Sequence, residues 1–280
     1  MSVPRYLRPA HLEEALSALS TRPWTVLAGG TDIYPARVGK PLDEDVLDIT
    51  RIAALRSIEV AGDCVRIGAT ATWTDLLAAP LAPVHDALKG AAREIGGMQI
   101  QNAGTIAGNL CNASPAADGV PPLLALGAEV ELASGTGTRR LRLEEFLLGN
   151  RKTARRPDEL MVAVRVPAWP QGAQSAFVKL GQRRYLVISI VMVATCIALD
   201  AMGRIARCGV AVGACSPVAR RLAPLEARIT GMHPSAAAES VVATDLAGLA
   251  PIDDVRGGAA YRLDAALTLV RQGIEMAGGT

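Results

Sequence analysis

Two glycine-containing segments about 75 residues apart constrain this sequence more than any other feature. Residues 28–32, AGGTD, directly follow a short apolar run, and residues 104–118 are GTIAGNLCNASPAAD. Glycines end strands and let the backbone turn tightly or approach another group closely. Neither segment has the G-x-G-x-x-G pattern of a Rossmann site or the G-x-x-x-x-G-K-[ST] pattern of a P-loop. The chain must therefore fold around two special backbone segments that neither common nucleotide motif explains.

Short apolar runs between turn residues predict an α+β chain in three segments. The first, to about residue 52, predicts a helix at residues 11–19, a strand at 24–28, the first glycine turn, a stretch with helical character and a strand at 46–49. The second, about residues 53–170, predicts two hairpins, a helix with Thr72 or Thr74 as its N-cap, and a strand at 160–166. Residues 168–172, AWPQG, are the best linker candidate.

The third segment begins at about residue 175 and predicts a separate α+β unit. Two apolar runs, Leu186–Leu199 and Arg204–Ala214, flank the turn sequence DAMG and predict a hairpin in a new sheet. From about Pro234 the apolar spacing becomes helical, and residues 261–276 give the clearest helix.

Composition argues against several functional classes. The net charge is only +2 and aromatic residues make up 3% of the chain, which argues against a nucleic-acid binder. The longest apolar stretch, Leu186–Leu199, has 14 residues and is shorter than the roughly 20 that span a bilayer. No apolar signal core follows the first residues. We therefore expect a cytoplasmic protein that neither binds nucleic acid nor inserts into a membrane.

The cysteines and histidines do not indicate a metal centre. The five cysteines are odd in number, scattered, and without C-x-x-C spacing, and the three histidines are far apart. This pattern predicts free buried thiols and no metal site. Cys111 lies in the second glycine segment, but no histidine is near it in sequence to activate it as a nucleophile.

The glycine segments are able to form an anion site. Successive backbone N–H groups in a glycine loop can form a concave nest that holds a pyrophosphate without arginine. Ser114 and Pro115 predict an N-cap and a first-turn proline of a helix aimed at the same region. Asp118 suits a ribose or sugar-alcohol hydroxyl, because an ionised carboxylate only accepts hydrogen bonds. From these patterns alone, ordinary tight turns and a nucleotide-type ligand both remain open. Neutral hydrogen-bonding side chains beside the amides are Thr31, Thr105, Asn109 and Ser114.

The same residues resemble a known family. The sequences VLAGGTD at 26–32, GTIAGN at 104–109 and ASPAAD at 113–118 are similar to the FAD-binding, or medium, subunit of the molybdenum hydroxylases, which include xanthine dehydrogenase and carbon monoxide dehydrogenase. Further matches are ELM at 159–161, FVKLG at 177–181, and DDVRG followed by YR at 253–262. They occur in the family's order over nearly the whole chain.

The resemblance implies the fold and the cofactor. Residues 1–170 would form an FAD-binding domain of the PCMH and CO dehydrogenase flavoprotein type, with subdomains of about 1–52 and 53–170. Residues 175–280 would form a small C-terminal α+β domain. FAD is the implied cofactor, and the resemblance implies no catalytic side chain and no metal ligand. The implied cofactor-binding residues are Val26, Leu27, Ala28, Gly29, Gly30, Thr31, Asp32, Ile33, Ile95, Thr105, Gly108, Asn109, Asn112, Ser114, Asp118, Leu160, Met161 and Lys179.

Several of these residues also have a purely structural interpretation. Asp32 and Asp118 could be surface loop acids, and Leu160 and Met161 could be core strand residues. Lys179 could be a solvated strand lysine. Its functional interpretation is that a cation near the flavin's electron-poor end stabilises the anionic reduced form.

One position departs from the family pattern. Many relatives have Gly-Gly-Asn in the second segment, whereas this chain has Ala107 before Gly108 and Asn109. An alanine is compatible with this position only if its φ is negative.

The resemblance implies a role in electron transfer. In the family, a molybdenum subunit oxidises the substrate, and electrons pass through two [2Fe–2S] clusters of another subunit to FAD. We therefore expect a molybdopterin-binding large subunit and a [2Fe–2S] small subunit as partners, in a dimer of heterotrimers, with NAD or another terminal acceptor. Two alternatives remain: a stand-alone FAD-dependent oxidoreductase of the same superfamily, and a scaffold subunit that has lost its flavin.

Overall fold

The N-terminal part is a small three-stranded parallel sheet with one helix beside it. The computed structural model describes residues 4–41 and 43–279. The ends of the two predicted domains, at residues 1 and 280, lie outside that range. The strand order is β1-β3-β2, and the predicted helix and two strands of this segment are confirmed. The elements are β1 (Tyr6–Leu7), α1 (Leu12–Thr21), β2 (Thr25–Leu27), a short 3-10 helix (Pro35–Arg37) and β3 (Val46–Asp48).

The second part is a five-stranded antiparallel sheet in the order β4-β5-β10-β6-β7, and both predicted hairpins are confirmed. Thr72 is the N-cap: its hydroxyl accepts a hydrogen bond from the Asp75 N–H, and the Asp75 carboxylate accepts one from the Thr72 N–H. The elements are β4 (Ile58–Ala61), β5 (Cys64–Gly68), α2 (Trp73–Ala78), α3 (Asp86–Glu94), α4 (Met98–Ala103), α5 (Ile106–Asn112), α6 (Val120–Leu126), β6 (Glu129–Ser134), β7 (Gly137–Arg142), α7 (Leu143–Phe146), β8 (Leu147–Gly149), β9 (Lys152–Thr153) and β10 (Leu160–Pro167).

The third part is a four-stranded antiparallel sheet, β11-β12-β13-β14, followed by helices. The predicted C-terminal helix is confirmed and is longer at both ends. None of the helices in the described part of the chain combines the length and the apolar character needed to cross a membrane. The elements are β11 (Gln174–Leu180), β12 (Val191–Leu199), β13 (Ile205–Gly213), β14 (Arg220–Arg221), α8 (Ala223–Ile229), α9 (Pro234–Ser240) and α10 (Ala259–Gly278).

The predicted strand Leu186–Leu199 is wrong in its first five residues, because β12 begins only at Val191. Leu186 has a φ of 51°, a left-handed conformation that a strand cannot contain. Leu186 and Ile188 are exposed, whereas Ser189 between Ile188 and the strand is fully buried. The first five residues of the apolar run therefore form a loop in which Ser189 is buried.

Strand β10 lies between two hydrophobic cores. Leu160 and Val162 pack with α1 and β3 in the core of the N-terminal part, whereas Met161 and Val164 pack in the larger central core. Successive strand side chains point to opposite faces, and a register shift between Met161 and Ala163 brings Val164 to the face of Met161, so one strand contributes to both cores. Ala28, at the start of the first glycine segment, packs against the core that Leu160 and Val162 help to form.

The C-terminal sheet contributes one of its faces to the central core. Ala194 and Cys196 of β12 belong to that core. A Cβ on Gly209 of β13 would lie 2.0 Å from the carbonyl oxygen of Ala125 in α6, so only glycine permits this close packing. The C-terminal part thereby comes close to residues 114–118, which precede α6.

Candidate functional site

The two glycine segments lie directly against each other. A Cβ on Gly29 would be 1.9 Å from the carbonyl oxygen of Ala103 and 2.9 Å from the Cα of Gly104. A Cβ on Gly104 would in turn be 3.3 Å from Oγ1 of Thr31. Only glycine therefore fits at position 29, where the two chain segments cross. The sequence pattern predicted a turn there but not this close approach.

The first segment presents a row of unpaired backbone donors. Nothing in the described ranges accepts a hydrogen bond from the backbone N–H groups of residues 29–33. The carbonyl oxygens of Gly30 and Asp32 accept hydrogen bonds from the N–H groups of Tyr34 and Ala36, so the segment forms a turn in which these carbonyl groups are paired. Gly30 has a φ of 69°, which makes the turn possible. Consecutive free N–H groups in a turn are the arrangement that holds an anion.

The second segment is largely a helix rather than a loop. Thr105 is the N-cap of α5, and its Oγ1 accepts a hydrogen bond from the Gly108 N–H at 3.0 Å. Ala107 lies within α5 and therefore has a negative φ, which confirms the condition for an alanine at this position. A Cβ on Gly108 would meet Thr105 Oγ1 at 2.7 Å, so this glycine protects the cap.

The predicted helix start at Ser114 and Pro115 is wrong. Residues 114–119 form turns, and α6 begins at Val120 with Pro121 and Pro122 in its first turn. The Ser114 hydroxyl instead accepts a hydrogen bond from the N–H of Ala116 at 3.3 Å. Serine side chains compete in this way with helix formation, and the later prolines give the helix a better first turn.

The two asparagines of α5 differ in their surroundings. The Oδ1 atom of Asn109 is buried and has no hydrogen-bond partner among residues 4–41 and 43–279. The Oδ1 atom of Asn112 accepts a hydrogen bond from Nη1 of Arg151 at 3.2 Å. A buried polar atom without a partner destabilises a chain by about 1–3 kcal/mol. Asn109 therefore offers an acceptor that a bound molecule can use.

Asp118 and Lys179 form a buried ion pair. Lys179 Nζ donates to Asp118 Oδ2 at 2.7 Å, and Ser189 Oγ donates to Asp118 Oδ1 at 2.5 Å. The two charged side chains are only 7% and 10% exposed. Burial raises the pKa of Asp118, and the contacts with Lys179 and Ser189 oppose that rise. Asp118 is therefore not a surface loop acid and Lys179 is not a solvated strand lysine. Asp32, in contrast, is exposed.

Ser189 was not predicted as part of the site. The one available signal was a serine interrupting an apolar run, which is too common to indicate a role. Its proximity to Asp118 depends on a contact across 71 residues of chain. No local pattern encodes such a contact.

The predicted apolar contacts belong to the packed cores. Leu160 and Met161 are buried on opposite sides of β10, which supports their structural interpretation. Leu27 is buried at the end of β2, and Val26 packs partly against the N-terminal core. Ile95, just after α3, is half-buried against the central core. Contact of these residues with a cofactor stays a prediction.

Lys179 also lines a cavity of about 500 Å³ between α3 and β11. Three arginines, Arg93, Arg183 and Arg184, line it as well, against the single acid Glu94. The cavity is therefore strongly basic.

The cysteines are all free thiols, as predicted. Cys111 is exposed, so the expectation that every thiol is buried is wrong for this residue. In the part of the chain that is described, no three His, Cys, Asp or Glu side chains lie close enough together to hold a metal ion.

Comparison with known proteins identifies the family. Residues 2–169 match a family model described as the FAD binding domain in molybdopterin dehydrogenase, and residues 176–277 match the CO dehydrogenase flavoprotein C-terminal domain. The chain belongs to the FAD-binding subunits of the molybdenum hydroxylase family. Its cofactor is FAD, and it is an FAD-dependent oxidoreductase subunit.

Individual relatives agree with this family. The chain is 37% identical over 196 residues to the nicotinate dehydrogenase FAD-subunit of Eubacterium barkeri, which covers 66% of each protein. It is 30% identical over 281 residues to the nicotine 6-hydroxylase medium subunit of Paenarthrobacter nicotinovorans, covering 98% of this chain and 97% of the relative. A chain of reconstituted CO dehydrogenase from Oligotropha carboxidovorans superimposes with a TM-score of 0.92 at 27% identity, covering 99% and 98%. The predicted fold of the flavoprotein subunit is confirmed.

Proposed function

We propose that the FAD pyrophosphate lies on the backbone N–H groups of residues 29–33. The observation that carries this proposal is the row of N–H groups without an acceptor among the described residues, placed where the two glycine segments cross. A pyrophosphate is an anion with several acceptor oxygens and needs such donors. The unpaired Oδ1 of Asn109 supplies an acceptor for a hydroxyl or N–H of the same molecule. The residues present therefore fit FAD.

The buried pair of Lys179 and Asp118 is the second part of the proposed site. When bound, FAD supplies the exchange between two-electron and one-electron transfer. The chain's own residues bind and orient it, and no side chain has to act as an acid or base. Lys179 would place its positive charge where the reduced cofactor becomes negative. Because Asp118 neutralises part of that charge, the pair rather than the lysine alone sets the local field.

We further propose that electrons reach this chain from a [2Fe–2S] small subunit and originate at a molybdopterin-binding large subunit. The support is the likeness to the medium chains of carbon monoxide dehydrogenase and nicotine 6-hydroxylase over most of their length. The proposed assembly is a dimer of heterotrimers in the cytoplasm. The substrate would be set by the large subunit.

The basic cavity favours an anionic terminal acceptor such as NAD. Lys179 lines this cavity and also forms the ion pair with Asp118, so an acceptor held in the cavity would lie beside the proposed flavin position. The three arginines would attract phosphate groups, and a neutral quinone would gain little from them. Arg183→Gln should raise the KM for NAD several-fold in the complex and leave the reduction of FAD by substrate unchanged. An unchanged KM would remove the support for NAD.

Release of the cofactor tests the main proposal. We expect one FAD per chain, held without a covalent bond, so acid precipitation of the purified complex should leave all yellow colour in the supernatant. Flavin in the pellet would contradict non-covalent binding. A colourless complex with full turnover would instead favour the flavin-free scaffold. Oxidation of an organic substrate by this chain alone would favour the stand-alone oxidoreductase.

A further inference from the structure

Three charged residues before and within α10 form a compact ion cluster. Arg256 donates to Asp254 Oδ2 through Nε and Nη2, at 3.1 and 2.6 Å. Arg262 Nη2 donates to Asp254 Oδ1 at 2.5 Å, and Arg262 is completely buried. Hydrogen bonds from Arg256, with the charges of both arginines, hold the pKa of Asp254 well below its usual range. The Asp254 carboxylate is therefore ionised at neutral pH.

One arm of this cluster reaches Asp118 through Ser189. Arg256 Nη1 donates to the carbonyl oxygen of Ser189 at 2.9 Å. The hydroxyl of the same serine donates to Asp118 Oδ1 at 2.5 Å, opposite the oxygen that Lys179 holds. Arg256 thus fixes the backbone of the residue that orients the carboxylate.

A second arm reaches the segment that contains Asp118. Arg262 Nη1 donates to the carbonyl oxygens of Ile190 and Ala214, at 3.0 and 2.9 Å. The Ala214 N–H in turn donates to the carbonyl oxygen of Pro115 at 3.1 Å. Ala214 has a φ of 62°, a conformation that is unfavourable for alanine and persists only where its surroundings hold it.

The carbonyls that the arginines hold share one property. Each belongs to a residue that is hydrogen-bonded to the Asp118–Lys179 pair or to a segment next to it. The Ser189 hydroxyl donates to Asp118 itself, and the Ile190 N–H donates to the carbonyl oxygen of Leu180, which follows Lys179. The Ala214 N–H donates to the carbonyl oxygen of Pro115, in the segment before Asp118. A buried arginine carries a large desolvation cost that these few bonds offset only if the geometry is well kept.

We propose that the Asp254–Arg256–Arg262 cluster is a positioning device for the Asp118–Lys179 pair at the flavin. It would hold Ser189 and the 114–118 segment so that the carboxylate keeps one orientation and stays ionised beside the lysine. The inference rests on the proposed function, because it assumes that this pair adjoins FAD. It assigns a role in the cofactor site to a motif of the C-terminal domain that reaches Asp118 through Ser189.

Two variants and a matched control test the proposal in the full chain. Ser189→Ala removes the hydroxyl bond, and Arg256→Gln removes the charge that holds Ser189. Arg271→Gln is the control, because Arg271 lies on α10 and donates to the carbonyl oxygen of Val241, at 3.2 and 2.6 Å, rather than to Ser189. The measurements are FAD affinity, the flavin midpoint potential, and the pKa of Asp118 followed by carboxyl carbon NMR in the FAD-free chain.

Ser189→Ala and Arg256→Gln should both raise the pKa of Asp118, shift the flavin potential in the same direction, and weaken FAD binding by about three- to tenfold, the loss typical of one hydrogen bond. In an Asp118→Asn background neither should have a further effect. Arg256→Lys, which keeps a charge and a donor, should recover part of the loss. Arg271→Gln should change only the unfolding midpoint.

The proposal is overturned if Arg256→Gln lowers the unfolding midpoint as Arg271→Gln does but leaves the potential, the FAD affinity and the Asp118 pKa at wild-type values. Should Arg256→Gln fail to fold, Arg256→Lys and Ser189→Ala carry the same test. If the wild-type chain bound no FAD, the proposed function would fail, but the pKa of Asp118 would still decide whether the cluster positions it.

Discussion

The two glycine segments are similar in composition, yet the fold uses them differently. Among the described residues nothing accepts a hydrogen bond from the N–H groups of residues 29–33, whereas several polar groups of residues 104–118 have partners. There Thr105 caps a helix, and Asp118 is bound by Lys179 and Ser189. The two segments therefore differ in the number of backbone donors left unpaired, rather than in the number of glycines.

The difference begins with the residues that come after each glycine. After Gly104 a helix starts at once, so its N-cap threonine and the helix itself take up the nearby donors. After Gly29 the chain forms only a turn and a three-residue 3-10 helix, and these take up few donors. The start of the second segment packs directly against the first, since Ala103 and Gly104 leave room only for a glycine at position 29.

The largest effect should come from filling the crossing point. In Gly29→Ala the new Cβ would lie 1.9 Å from a backbone oxygen, so the two segments must separate. We expect no measurable FAD binding and a loss of at least about 3 kcal/mol in the free energy of unfolding, as in severe overpacking. FAD titration by flavin fluorescence and urea unfolding measure the two effects.

Gly108→Ala and Gly135→Ala provide the matched comparison. At Gly108 the new Cβ meets a hydroxyl that can rotate away, so the lost cap of about 1 kcal/mol is offset by a similar gain in helix propensity. Gly135 has open space around it and should tolerate alanine. We expect both variants to fold normally and to keep FAD affinity within about tenfold. Equal FAD affinity in Gly29→Ala and Gly135→Ala would show that the crossing does not shape the site.

The next effect concerns the buried pair of the second segment. Lys179→Met leaves a buried carboxylate without its cation, and Asp118→Asn leaves a buried ammonium without its anion, so each should cost about 3 kcal/mol of stability. The double variant should return to within about 1 kcal/mol of the wild type. The double variant should not recover the wild-type FAD affinity or flavin potential. Loss of the Lys179 charge should lower the flavin potential by about 30 mV for each 1.4 kcal/mol of stabilisation lost from the reduced form. Full recovery of both would mean that the pair serves only the fold.

The stability of Lys179→Met relative to the wild type should change with pH in a direction that the pKa of Asp118 determines. Burial already raises the pKa of Asp118 above its ordinary 3.8, and removal of the lysine raises it further. A carboxyl with a raised pKa stabilises the fold when protonated, and this contribution is lost as the pH rises from 3.8 through the folded-state pKa. The stability difference between Lys179→Met and the wild type should therefore grow with pH. A difference that shrinks with pH would contradict a buried, unpaired carboxylate.

Local patterns predicted most elements of the fold, and failed where distant contacts decide. The hairpin of β4 and β5 and the Thr72 cap depend on neighbours in sequence and were predicted correctly. The predicted strand start at Leu186 was wrong, because residues 186–190 form a loop in which Ser189 hydrogen-bonds to Asp118, 71 residues away. The crossing of Gly29 with Ala103 had no local signature either. The resemblance predicts that Asp118 and Lys179 bind the cofactor, but their bond to each other became visible only in three dimensions.

The smallest expected effect separates the two asparagines of α5, which lie one turn apart. The buried Oδ1 of Asn109 has no partner in the described part of the chain, so Asn109→Ala removes an unsatisfied group from the FAD-free protein and should leave its stability unchanged or raise it by about 1 kcal/mol. The same change removes an acceptor from bound FAD, and one lost hydrogen bond of about 1.4 kcal/mol weakens binding about tenfold. Asn112→Ala should weaken FAD binding by less than about threefold, because the Asn112 oxygen is already bound to Arg151. Urea unfolding without FAD and FAD titration measure the two quantities separately. A variant that loses affinity while gaining stability shows that the buried oxygen is kept for a ligand, and equal affinity losses at both asparagines would show that the unpaired oxygen has no special part in binding.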